Sequence, residues 1–407
     1  MRIFDNALLY NPVSGTWIPS SFSVDKGKIK AVGKPGSLSG DLVTDLSGAR
    51  VVPGLIDAHV HIESSLLTPA EFGRLVLTHG VTTVVADPHE IANVAGCAGI
   101  DFMIADAVHS PADIFFMVPS CVPATPADVG GAVVSAENLA RYQNHPRVLG
   151  LGEMMNVPGV LFGDAEVAAK LALFRRIDGH APGLSGESLC EYVSRGIASD
   201  HECTTAEEAE EKLLLGQYIF LREGDAAKNV EALSSVVTPQ TASRCCFATD
   251  DRHVDSIARE GSIDNCIRKA CAAGMPLELA LRLATLSAAE YYSLHDRGII
   301  APGRAADFCI LEEREEFRVA RVYKNGLSVR RKETPETPEM SFPPFVCRIP
   351  SAEELRLPDG KLKVIETIPG EIITECREMD ADTPGLQKIL CIERYRGEGF
   401  GLGLIKG

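Results

Sequence analysis

The sequence predicts an α/β protein, a (β/α)8 barrel of the TIM type with a small β-sandwich domain beside it. Eight short apolar runs recur between residues 51 and 251, and most of them end in polar or acidic residues and lead into a helix-like stretch. Strands buried on both faces that alternate with helices form a parallel sheet, and eight such units favour a closed barrel. The runs are residues 51–61, 81–90, 113–123, 148–156, 175–183, 196–202, 218–224 and 245–251. A doubly wound open sheet is the alternative, but it does not explain ionisable residues at nearly every strand end.

Size and charge restrict the class of protein. A chain of 407 residues is too long for one small core, so we expect two domains or one large barrel with an appendage. The content of 45% hydrophobic and 24% charged residues is typical of globular proteins. Forty basic against 56 acidic residues give a net charge of −16, which disfavours nucleic acid or an anionic membrane as partner. A neutral or cationic small substrate is compatible with this charge.

The N-terminal segment and the cysteines predict a cytoplasmic protein. The segment MRIFDNALLYNP lacks the apolar core of a signal peptide, and no stretch approaches the roughly 18 uninterrupted apolar residues of a membrane span. The 12 cysteines are scattered without a C-x-x-C pair. Such a pattern is expected of reduced thiols in a chain large enough to fold without disulfides.

Two β-rich segments flank the predicted barrel. Residues 1–50 and 300–335 consist of short apolar runs broken by turn residues, with Lys26-Gly27 and Asn325-Gly326 as hairpin turns. We expect the two segments to pair as the small β domain, with residues 51–299 forming the barrel.

The remainder of the chain differs in composition. Residues 253–296 predict helices on the outside of the barrel, and the Pro- and Glu-rich residues 336–360 predict a linker. Because β character resumes at Lys361, we expect residues 361–407 to begin a further, incomplete C-terminal domain. The alternate glycines from residue 397 to residue 403 do not make a phosphate-binding loop, since no strand, loop and helix follow with the required spacing.

The stretch VVPGLIDAHVHIE, residues 51–63, is the most informative in the chain. An apolar run with a Pro-Gly break leads to His59 and His61, which are separated by one residue. Side chains alternate along a strand, so both imidazoles point to the same side of the strand end. Two converging histidines are the start of a metal site, and two ordinary strand histidines are the alternative.

Ionisable residues follow most of the other runs in the same position. They are Asp87 and His89 after the second run, Glu153 after the fourth, His180 after the fifth, His201 after the sixth, and Asp250 with Asp251 after the eighth. Each has an ordinary explanation as a cap or an ion-pair partner, but a barrel brings all of them to one mouth. Four imidazoles and two carboxylates suit one or two divalent ions such as zinc, manganese or iron, and no candidate ligand is a cysteine.

This donor set predicts metal-assisted hydrolysis, because a metal ion lowers the pKa of its water and makes a nucleophile without serine or cysteine. Glu153 offers two oxygens to bridge a pair of ions. Asp250 is placed to bind metal and to pass a proton to the leaving group, with Asp251 supporting it. Competing motifs fail: the HIE of residues 61–63 lacks the P-C-x-x-C half of the zinc nucleoside-deaminase signature, and Ser185 lacks the closing glycine of a G-x-S-x-G elbow.

Six strings in the chain resemble the adenine deaminases of the amidohydrolase superfamily. The strings are PGLIDAHVHIESS, ADPHEIANV, LGEMMNVPGV, DGHAPGLSG, SDHECTTAEEA and TDDRH, and the likeness runs from residue 50 to residue 310 with the flanking β domain included. The resemblance implies a (β/α)8 barrel and a binuclear centre that works with manganese, or with iron or zinc. It implies conversion of adenine and water to hypoxanthine and ammonia, in purine salvage and adenine catabolism. It also implies a homo-oligomer, expected as a dimer.

The resemblance also implies roles for individual residues. His59, His61, His180 and His201 match metal ligands, Glu153 stands where relatives use a modified lysine, and Asp250 matches the acid after the eighth strand. Catalytic roles are expected for Asp250 and Glu153, and for Asp87, which matches a family acid near the metals. The residues expected to support the centre or contact the adenine ring are His89, Asp251, Ser120, Asn156, Arg222 and Glu223, with turn and helix caps as the alternative.

Two other functions are compatible with these residues. A related amidohydrolase acting on another cyclic amide or amidine, such as a dihydroorotase-like enzyme, would use the same ligands. The second alternative is a metal-binding protein without enzymatic activity. We consider it because family members are generally longer, and we expect the chain to end just inside their C-terminal domain. The intact ligand set favours the enzyme.

Overall fold

The computed structural model describes residues 1–125, 128–313, 316–329, 340–341, 344, 346–358, 360–369, 373–395, 397 and 399–407. Five strands come first: β1 (Arg2–Asn11), β2 (Thr16–Asp25), β3 (Lys28–Gly33), β4 (Leu42–Asp45) and β5 (Arg50–Pro53). The hairpin between β2 and β3 turns at Lys26 and Gly27, whose φ angles are 48° and 76°. Positive φ at both central residues is the geometry of a tight hairpin turn, so this prediction is confirmed.

Eight parallel strands follow, one in each predicted apolar run. They are β6 (Leu55–Val60), β7 (Val81–Ala86), β8 (Asp113–Val118), β9 (Val148–Met154), β10 (Ile177–Gly179), β11 (Ser199–Asp200), β12 (Tyr218–Arg222) and β13 (Cys245–Ala248). Strands β6 to β10 form one parallel sheet, curled as a half-barrel, and β11 to β13 form a second parallel sheet. The α/β class is therefore confirmed.

Backbone hydrogen bonds join the two parallel sheets at both edges. On one side the amide of Ala198 donates to the carbonyl of Ile177 at 2.9 Å. On the other side the amide of Asp250 donates to the carbonyl of His59 at 2.9 Å, and the amide of His61 donates to the carbonyl of Asp250 at 3.2 Å. These bonds place the carboxyl ends of β6 and β13 side by side, although the two strands are far apart in the sequence.

The predicted apolar run of residues 51–61 divides at Gly54 into two strands, β5 and β6. The parallel strands therefore begin after Gly54, whereas we expected the barrel to begin at residue 51. Strand β5 pairs with β1, whereas β6 pairs with β7. At Gly54 a Cβ atom would lie 2.1 Å from the Oγ1 atom of Thr82, so only glycine allows the chain to pass from one sheet to the other here. The small sheet therefore includes residues that we had expected in the barrel.

Thirteen α-helices occur in the described residues. They are α1 (Pro69–Leu77), α2 (His89–Ala95), α3 (Cys97–Asp106), α4 (Ala136–Ala140), α5 (Val157–Leu161), α6 (Ala165–Leu173), α7 (Gly186–Ser194), α8 (Ala206–Leu214), α9 (Val230–Leu233), α10 (Val254–Glu260), α11 (Ile263–Ala272), α12 (Leu277–Arg282) and α13 (Ala288–Tyr291). Thr205 caps the start of α8, because its side chain accepts a hydrogen bond from the amide of Glu208 at 3.3 Å. Within the described chain, no helix has both the length and the hydrophobicity that crossing a bilayer requires.

The helices predicted for residues 253–296 are confirmed, and the structure has four of them in this stretch. Gly261 directly follows α10, and Gly274 lies in the turn after α11. Their φ angles are 102° and 96°, which residues with a side chain rarely adopt. A π-helical turn, Leu283–Ser287, separates α12 from α13. The Oγ atom of Ser287 donates to the carbonyl of Ala242 at 2.7 Å, so this turn is tied to the segment before β13.

The two flanking β segments share one sheet. After the parallel strands come β14 (Phe308–Leu311), β15 (Val319–Lys324) and β16 (Leu327–Ser328), and the strand order is β16-β15-β14-β5-β1-β2-β3 with β4 beside β1. Four aromatic rings from both segments meet in its core. The ring of Phe308 lies 4.9 Å from that of Phe4, 5.0 Å from that of Phe22 and 4.6 Å from that of Tyr323. The turn at Asn325 and Gly326, with φ of 51° and 75°, confirms the second predicted hairpin.

The last described segment is a separate four-stranded sheet. Its strands are β17 (Lys361–Thr367), β18 (Thr374–Asp380), β19 (Gln387–Ile392) and β20 (Phe400–Lys406), in the order β18-β17-β20-β19. Gly401 and Gly403 lie inside β20, as expected for a strand rather than a phosphate loop. Of the predicted linker 336–360, residues 336–339, 342–343, 345 and 359 lie outside the described residues.

The aromatic cluster predicts how the small sheet is stabilised. We expect Phe308→Ala to lower the free energy of unfolding by about 3–5 kcal/mol, because it removes a buried ring that joins the two β segments. Urea unfolding of the purified chain measures this change. Leu327→Ala is the control, since Leu327 lies in the same sheet but is 70% exposed, and its effect should stay within about 0.5 kcal/mol. Equal losses in the two variants would contradict the stabilising role of the cluster.

Candidate metal centre

Two histidines converge at the carboxyl end of β6. The Nε2 atoms of His59 and His61 are 3.2 Å apart, and both side chains are almost fully buried. The Nδ1 atom of His61 lies 2.9 Å from the carbonyl oxygen of Asp87. A hydrogen bond from Nδ1 to this carbonyl leaves the lone pair of Nε2 directed at the centre, as in metal-binding histidines.

Asp250 joins these histidines from the end of β13. Its Oδ1 atom lies 3.0 Å from Nε2 of His61 and 3.4 Å from Nε2 of His59. The backbone of Asp250 has a φ of 54°, a left-handed conformation that is uncommon for a residue other than glycine and is concentrated at functional sites. Burial opposes the charged form of its carboxyl group. However, His59, His61 and Arg222 outweigh it and hold the pKa of Asp250 well below its usual range.

The carboxylate of Asp57 fixes Asp250 relative to His59. It accepts hydrogen bonds from the amide of Thr249 at 3.1 Å, from the hydroxyl of Thr249 at 2.5 Å and from the amide of His59 at 3.4 Å. Asp57 is fully buried. Because Thr249 precedes Asp250, one carboxylate aligns the two strand ends that carry three of the predicted ligands.

Glu153, at the end of β9, lies between two pairs of histidines. Its Oε1 atom is 3.2 Å from Nε2 of His61, and its Oε2 atom is 2.7 Å from Nδ1 of His180 and 3.1 Å from Nε2 of His201. The two oxygens of one buried carboxylate therefore face different imidazoles. Burial raises the pKa of Glu153, but His180 and His201 counteract it and the net shift is far downward.

The second pair of histidines follows β10 and β11. The rings of His180 and His201 lie edge to face with their centroids 5.3 Å apart. His201 is 1% exposed, and neither of its ring nitrogens has a hydrogen-bond partner among the described residues. Its Nε2 atom faces Oε2 of Glu153 at 3.1 Å without hydrogen-bond geometry, and a metal ion bound by both atoms is one way to satisfy them.

The donor atoms fit one or two divalent metal ions. One group consists of His59, His61 and Asp250, and a second consists of His180, His201 and Glu202, with Glu153 between them. Imidazole nitrogens and carboxylate oxygens without a thiolate suit manganese, iron or zinc. The structure thus brings together all six residues that the sequence predicted as ligands.

Asp87 and His89 lie against Glu153. The Oδ2 atom of Asp87 accepts a hydrogen bond from the amide of Glu153 at 3.0 Å, and the Nδ1 atom of His89 lies 3.2 Å from Oε1 of Glu153. Gly152 makes this approach possible, because a Cβ atom there would lie 2.1 Å from Oδ2 of Asp87. Asp87 therefore holds the backbone that presents Glu153.

Two of the other predicted residues, Ser120 and Arg222, also contact the candidate ligands, and Asp251 lies beside His61. The hydroxyl of Ser120 donates to the carbonyl of Glu153 at 2.5 Å. The guanidinium of Arg222 forms an ion pair with Asp250, and Asp251 accepts a hydrogen bond from the hydroxyl of Ser64.

Two predicted residues do not contact the candidate ligands in the described structure. The side chain of Asn156 accepts a hydrogen bond from the amide of Gly159 at 2.9 Å and caps α5, which is the alternative that the sequence left open. Glu223 is buried, and burial raises the pKa of its carboxyl group. No hydrogen bond or ion pair joins its carboxylate to a ligand within the described ranges.

Sequence reasoning missed Glu202, which follows His201 directly. Its Oε1 atom lies 3.3 Å from Nε2 of His201 and 3.4 Å from Nδ1 of His180. Alternation along a strand would turn a neighbour of His201 to the opposite side, but β11 ends at Asp200 and the rule does not apply beyond it. The string SDHE, with an acid on each side of the histidine, was the signal available.

A buried ion pair behind the second histidine pair positions both strand ends. The ammonium of Lys212 lies 3.2 Å from Oδ2 of Asp200 and donates to the carbonyl of Ala181 at 2.8 Å and to Glu208 at 2.7 Å. Asp200 in turn accepts hydrogen bonds from the amides of Ala181 at 2.9 Å and Glu202 at 2.7 Å. Burial lowers the pKa of Lys212, but the carboxylates of Asp200 and Glu208 outweigh it and the net shift is upward. The residues next to His180 and His201 are therefore fixed by one buried cation.

The fold and the donor set together define a metal-dependent hydrolase, and comparison with known proteins agrees. The model of the amidohydrolase family matches residues 50–329. Among solved structures, enamidase has a TM-score of 0.61 at 16% identity over 83% of this chain and 97% of its own. The β-aspartyl dipeptidase of Fervidobacterium islandicum AW-1 has a TM-score of 0.59 at 17% identity over 84% of this chain and 98% of its own. These two likenesses show the shared fold.

Curated relatives are far more similar in sequence. Adenine deaminase of Methanoculleus marisnigri is 52% identical over 95% of this chain and 75% of its own length. Adenine deaminase of Methanoregula boonei is 51% identical over the whole chain and 74% of its own length. Adenine deaminase 2 of Carboxydothermus hydrogenoformans is 42% identical with the same coverage. The chain belongs to the adenine deaminase family of the amidohydrolases.

The ion pair behind the second histidine pair predicts a large effect of a single substitution. We expect Lys212→Met to lower the free energy of unfolding by about 3–5 kcal/mol, because it leaves buried carboxylates without their cation. Thermal and urea unfolding measure this loss. The double variant Asp200→Asn/Lys212→Met should lose less than the sum of the two single variants, since it removes both partners. Simple additivity would contradict the coupling.

Proposed function

We propose that the chain catalyses the hydrolytic deamination of adenine to hypoxanthine and ammonia with two divalent metal ions, manganese being preferred. The observation that carries the proposal is the position of Glu153, whose two oxygens face separate histidine pairs. Relatives that are 42–52% identical and carry the name adenine deaminase support the choice of substrate. Iron and zinc also suit the donor set.

We assign the two metal positions from the distances between donor atoms. His59, His61 and Asp250 would hold one ion, His180 and His201 would hold the other, and Glu153 would bridge them. Bound divalent ions supply Lewis acidity and lower the pKa of the attacking water. The carboxylates and the buried imidazoles exclude bulk solvent from that water and orient it.

Asp250 is the proposed proton carrier. It takes a proton from the attacking water as the new bond forms between the water oxygen and C6 of adenine and the electron pair of the C6–N1 double bond moves to N1, and it delivers a proton to the amino nitrogen. The bond between C6 and this nitrogen then breaks as the C6–N1 double bond re-forms, and ammonia leaves with the electron pair of the broken bond. Arg222, which is paired with Asp250, keeps the carboxylate oriented between the two transfers.

Supporting roles are proposed for residues around these groups. Asp87 and Ser120 contact the backbone of Glu153 and would keep its carboxylate between the ions. His89 lies against the same carboxylate and is the nearest candidate for contact with substrate. Asp251 would fix the loop after β6 through Ser64.

We propose a division of the chain into three parts. The aromatic cluster of Phe308 supports closure of the small sheet as a β-sandwich, and the bonds at both edges of the parallel sheets support a closed (β/α)8 barrel. Residues 361–407 would belong to the C-terminal domain of the family.

We also propose a cytoplasmic homodimer, and the 12 free thiols are consistent with a reducing compartment.

Metal removal should abolish the reaction. We expect the chelated chain to release no ammonia from adenine and to regain activity on addition of manganese, because the buried imidazoles have no other way to activate water. A coupled assay for ammonia, with metal content measured in parallel, provides the test. Ammonia release from the metal-free chain would contradict the proposal, and absence of release with two bound ions would favour another substrate or an inactive metal-binding protein.

Asp250→Asn tests the proton carrier. We expect kcat to fall by about 10²–10⁴-fold, because the amide has the same shape but cannot accept and return a proton. Metal content must be measured in the same preparation, since Asp250 also contacts both histidines of one group. The neighbouring change Asp251→Asn, which removes a charge one residue away, should have a much smaller effect. Near-normal turnover by Asp250→Asn with metal bound would refute the role.

A further inference from the structure

Glu202 occupies the same place in the second histidine group that Asp250 occupies in the first. Asp250 Oδ1 lies 3.4 Å and 3.0 Å from the Nε2 atoms of His59 and His61. Glu202 Oε1 lies 3.3 Å from Nε2 of His201 and 3.4 Å from Nδ1 of His180. Each pair of imidazoles therefore faces one carboxylate of its own as well as one oxygen of Glu153.

The spacing of these atoms matches the spacing of ligands around one ion. A metal–ligand distance of about 2.1 Å puts neighbouring ligand atoms about 3.0 Å apart in an octahedral arrangement and about 3.4 Å apart in a tetrahedral one. The nitrogens of His180 and His201 lie 2.7 Å and 3.1 Å from Glu153 Oε2, and 3.4 Å and 3.3 Å from Glu202 Oε1. All four distances lie near these values.

The carboxylate of Glu202 is buried, and a buried charge is unfavourable unless other groups compensate it. The side chain is 2% exposed, so its charge must be compensated inside the protein. Arg222 compensates one side, with Nη1 2.5 Å from Oε1 and Nη2 2.6 Å from Oε2 of Glu202. Each carboxylate oxygen has two lone pairs, so Oε1 can accept from Arg222 and still face the histidines. Nε2 of His201, which makes no hydrogen bond of suitable geometry within the described residues, lies 3.3 Å from Oε1.

Arg222 links the two groups. Its guanidinium forms ion pairs with both Asp250 and Glu202, which are the carboxylates of the first and second group. Ligating carboxylates are commonly oriented by a hydrogen-bond donor behind them, and a planar guanidinium can serve two at once. The amide of Glu202 is also fixed, because it donates to Asp200 at 2.7 Å.

We propose that Glu202 is a terminal ligand of the second metal position, so that each ion is held by two imidazoles and one carboxylate on either side of the shared Glu153. The inference rests on the proposed function for the presence of two ions. It adds a ligand that the resemblance does not assign. Two histidines and one carboxylate at each position form a set that suits divalent iron and manganese.

Manganese stoichiometry tests the assignment without any need for turnover. The wild-type chain and Glu202→Gln are stripped of metal, dialysed against a fixed free manganese concentration and analysed for metal per chain. Electron paramagnetic resonance then separates isolated manganese from a coupled pair. We expect two coupled ions in the wild type and one isolated ion in Glu202→Gln, with the second ion bound about 100-fold more weakly or worse.

Asp113→Asn is the matched control. Asp113 is also an acid paired with arginine, at 2.7 Å from Arg297, but it lies at the amino end of β8, opposite the metal centre. This variant should bind two coupled manganese ions, so a loss in Glu202→Gln cannot be ascribed to a broken ion pair alone.

Two results would overturn the assignment. One is a coupled pair of manganese ions in Glu202→Gln at the wild-type affinity, which would leave Glu202 as a partner of Arg222 only. The other is fewer than two ions in the wild type. If Glu202→Gln does not fold, Glu202→Asp decides: weaker binding of the second ion supports the assignment, and wild-type affinity overturns it. A wild-type chain with two ions and no ammonia release would refute adenine as substrate, while the stoichiometry would still decide the role of Glu202.

Discussion

The carboxylate of Glu153 is the interaction on which the rest of the site depends. This one buried side chain lies within 3.2 Å of nitrogens of four histidines, His61, His89, His180 and His201. A buried carboxylate surrounded by imidazole nitrogens is costly unless positive charge compensates its negative charge. Bound metal cations provide that positive charge. The position of the carboxylate therefore decides whether the histidines act as one centre or as two unrelated pairs.

The surrounding structure is arranged to keep Glu153 and its partners in place. Asp87 contacts its amide and Ser120 its carbonyl, so its backbone is fixed on both sides. Asp57 performs the same task for the strand ends of His59 and Asp250, and Lys212 does so for those of His180 and His201. A catalytic centre requires this precision because small displacements of reacting groups cost large factors in rate.

Local patterns in the sequence were sufficient for most of the fold. All eight parallel strands and both hairpin turns depend on residues close together in the chain. The gathering of the predicted ligands follows from a general property of parallel sheets, since residues after each strand meet at one end. Neither result required knowledge of long-range contacts.

What the sequence did not predict depends on such contacts. The division of the first run at Gly54 is set by its close approach to Thr82. The direction of Glu202 is set by Asp200 and by Arg222 from the next strand, because β11 is too short for side-chain alternation to apply.

The most direct test of the account is the location of manganese in crystals of the loaded chain. Diffraction data collected on both sides of the manganese absorption edge reveal the ions by their anomalous scattering. The account predicts two peaks, one in contact with His59, His61 and Asp250 and the other in contact with His180 and His201, with Glu153 between them. A single peak, or peaks away from Glu153, would contradict it.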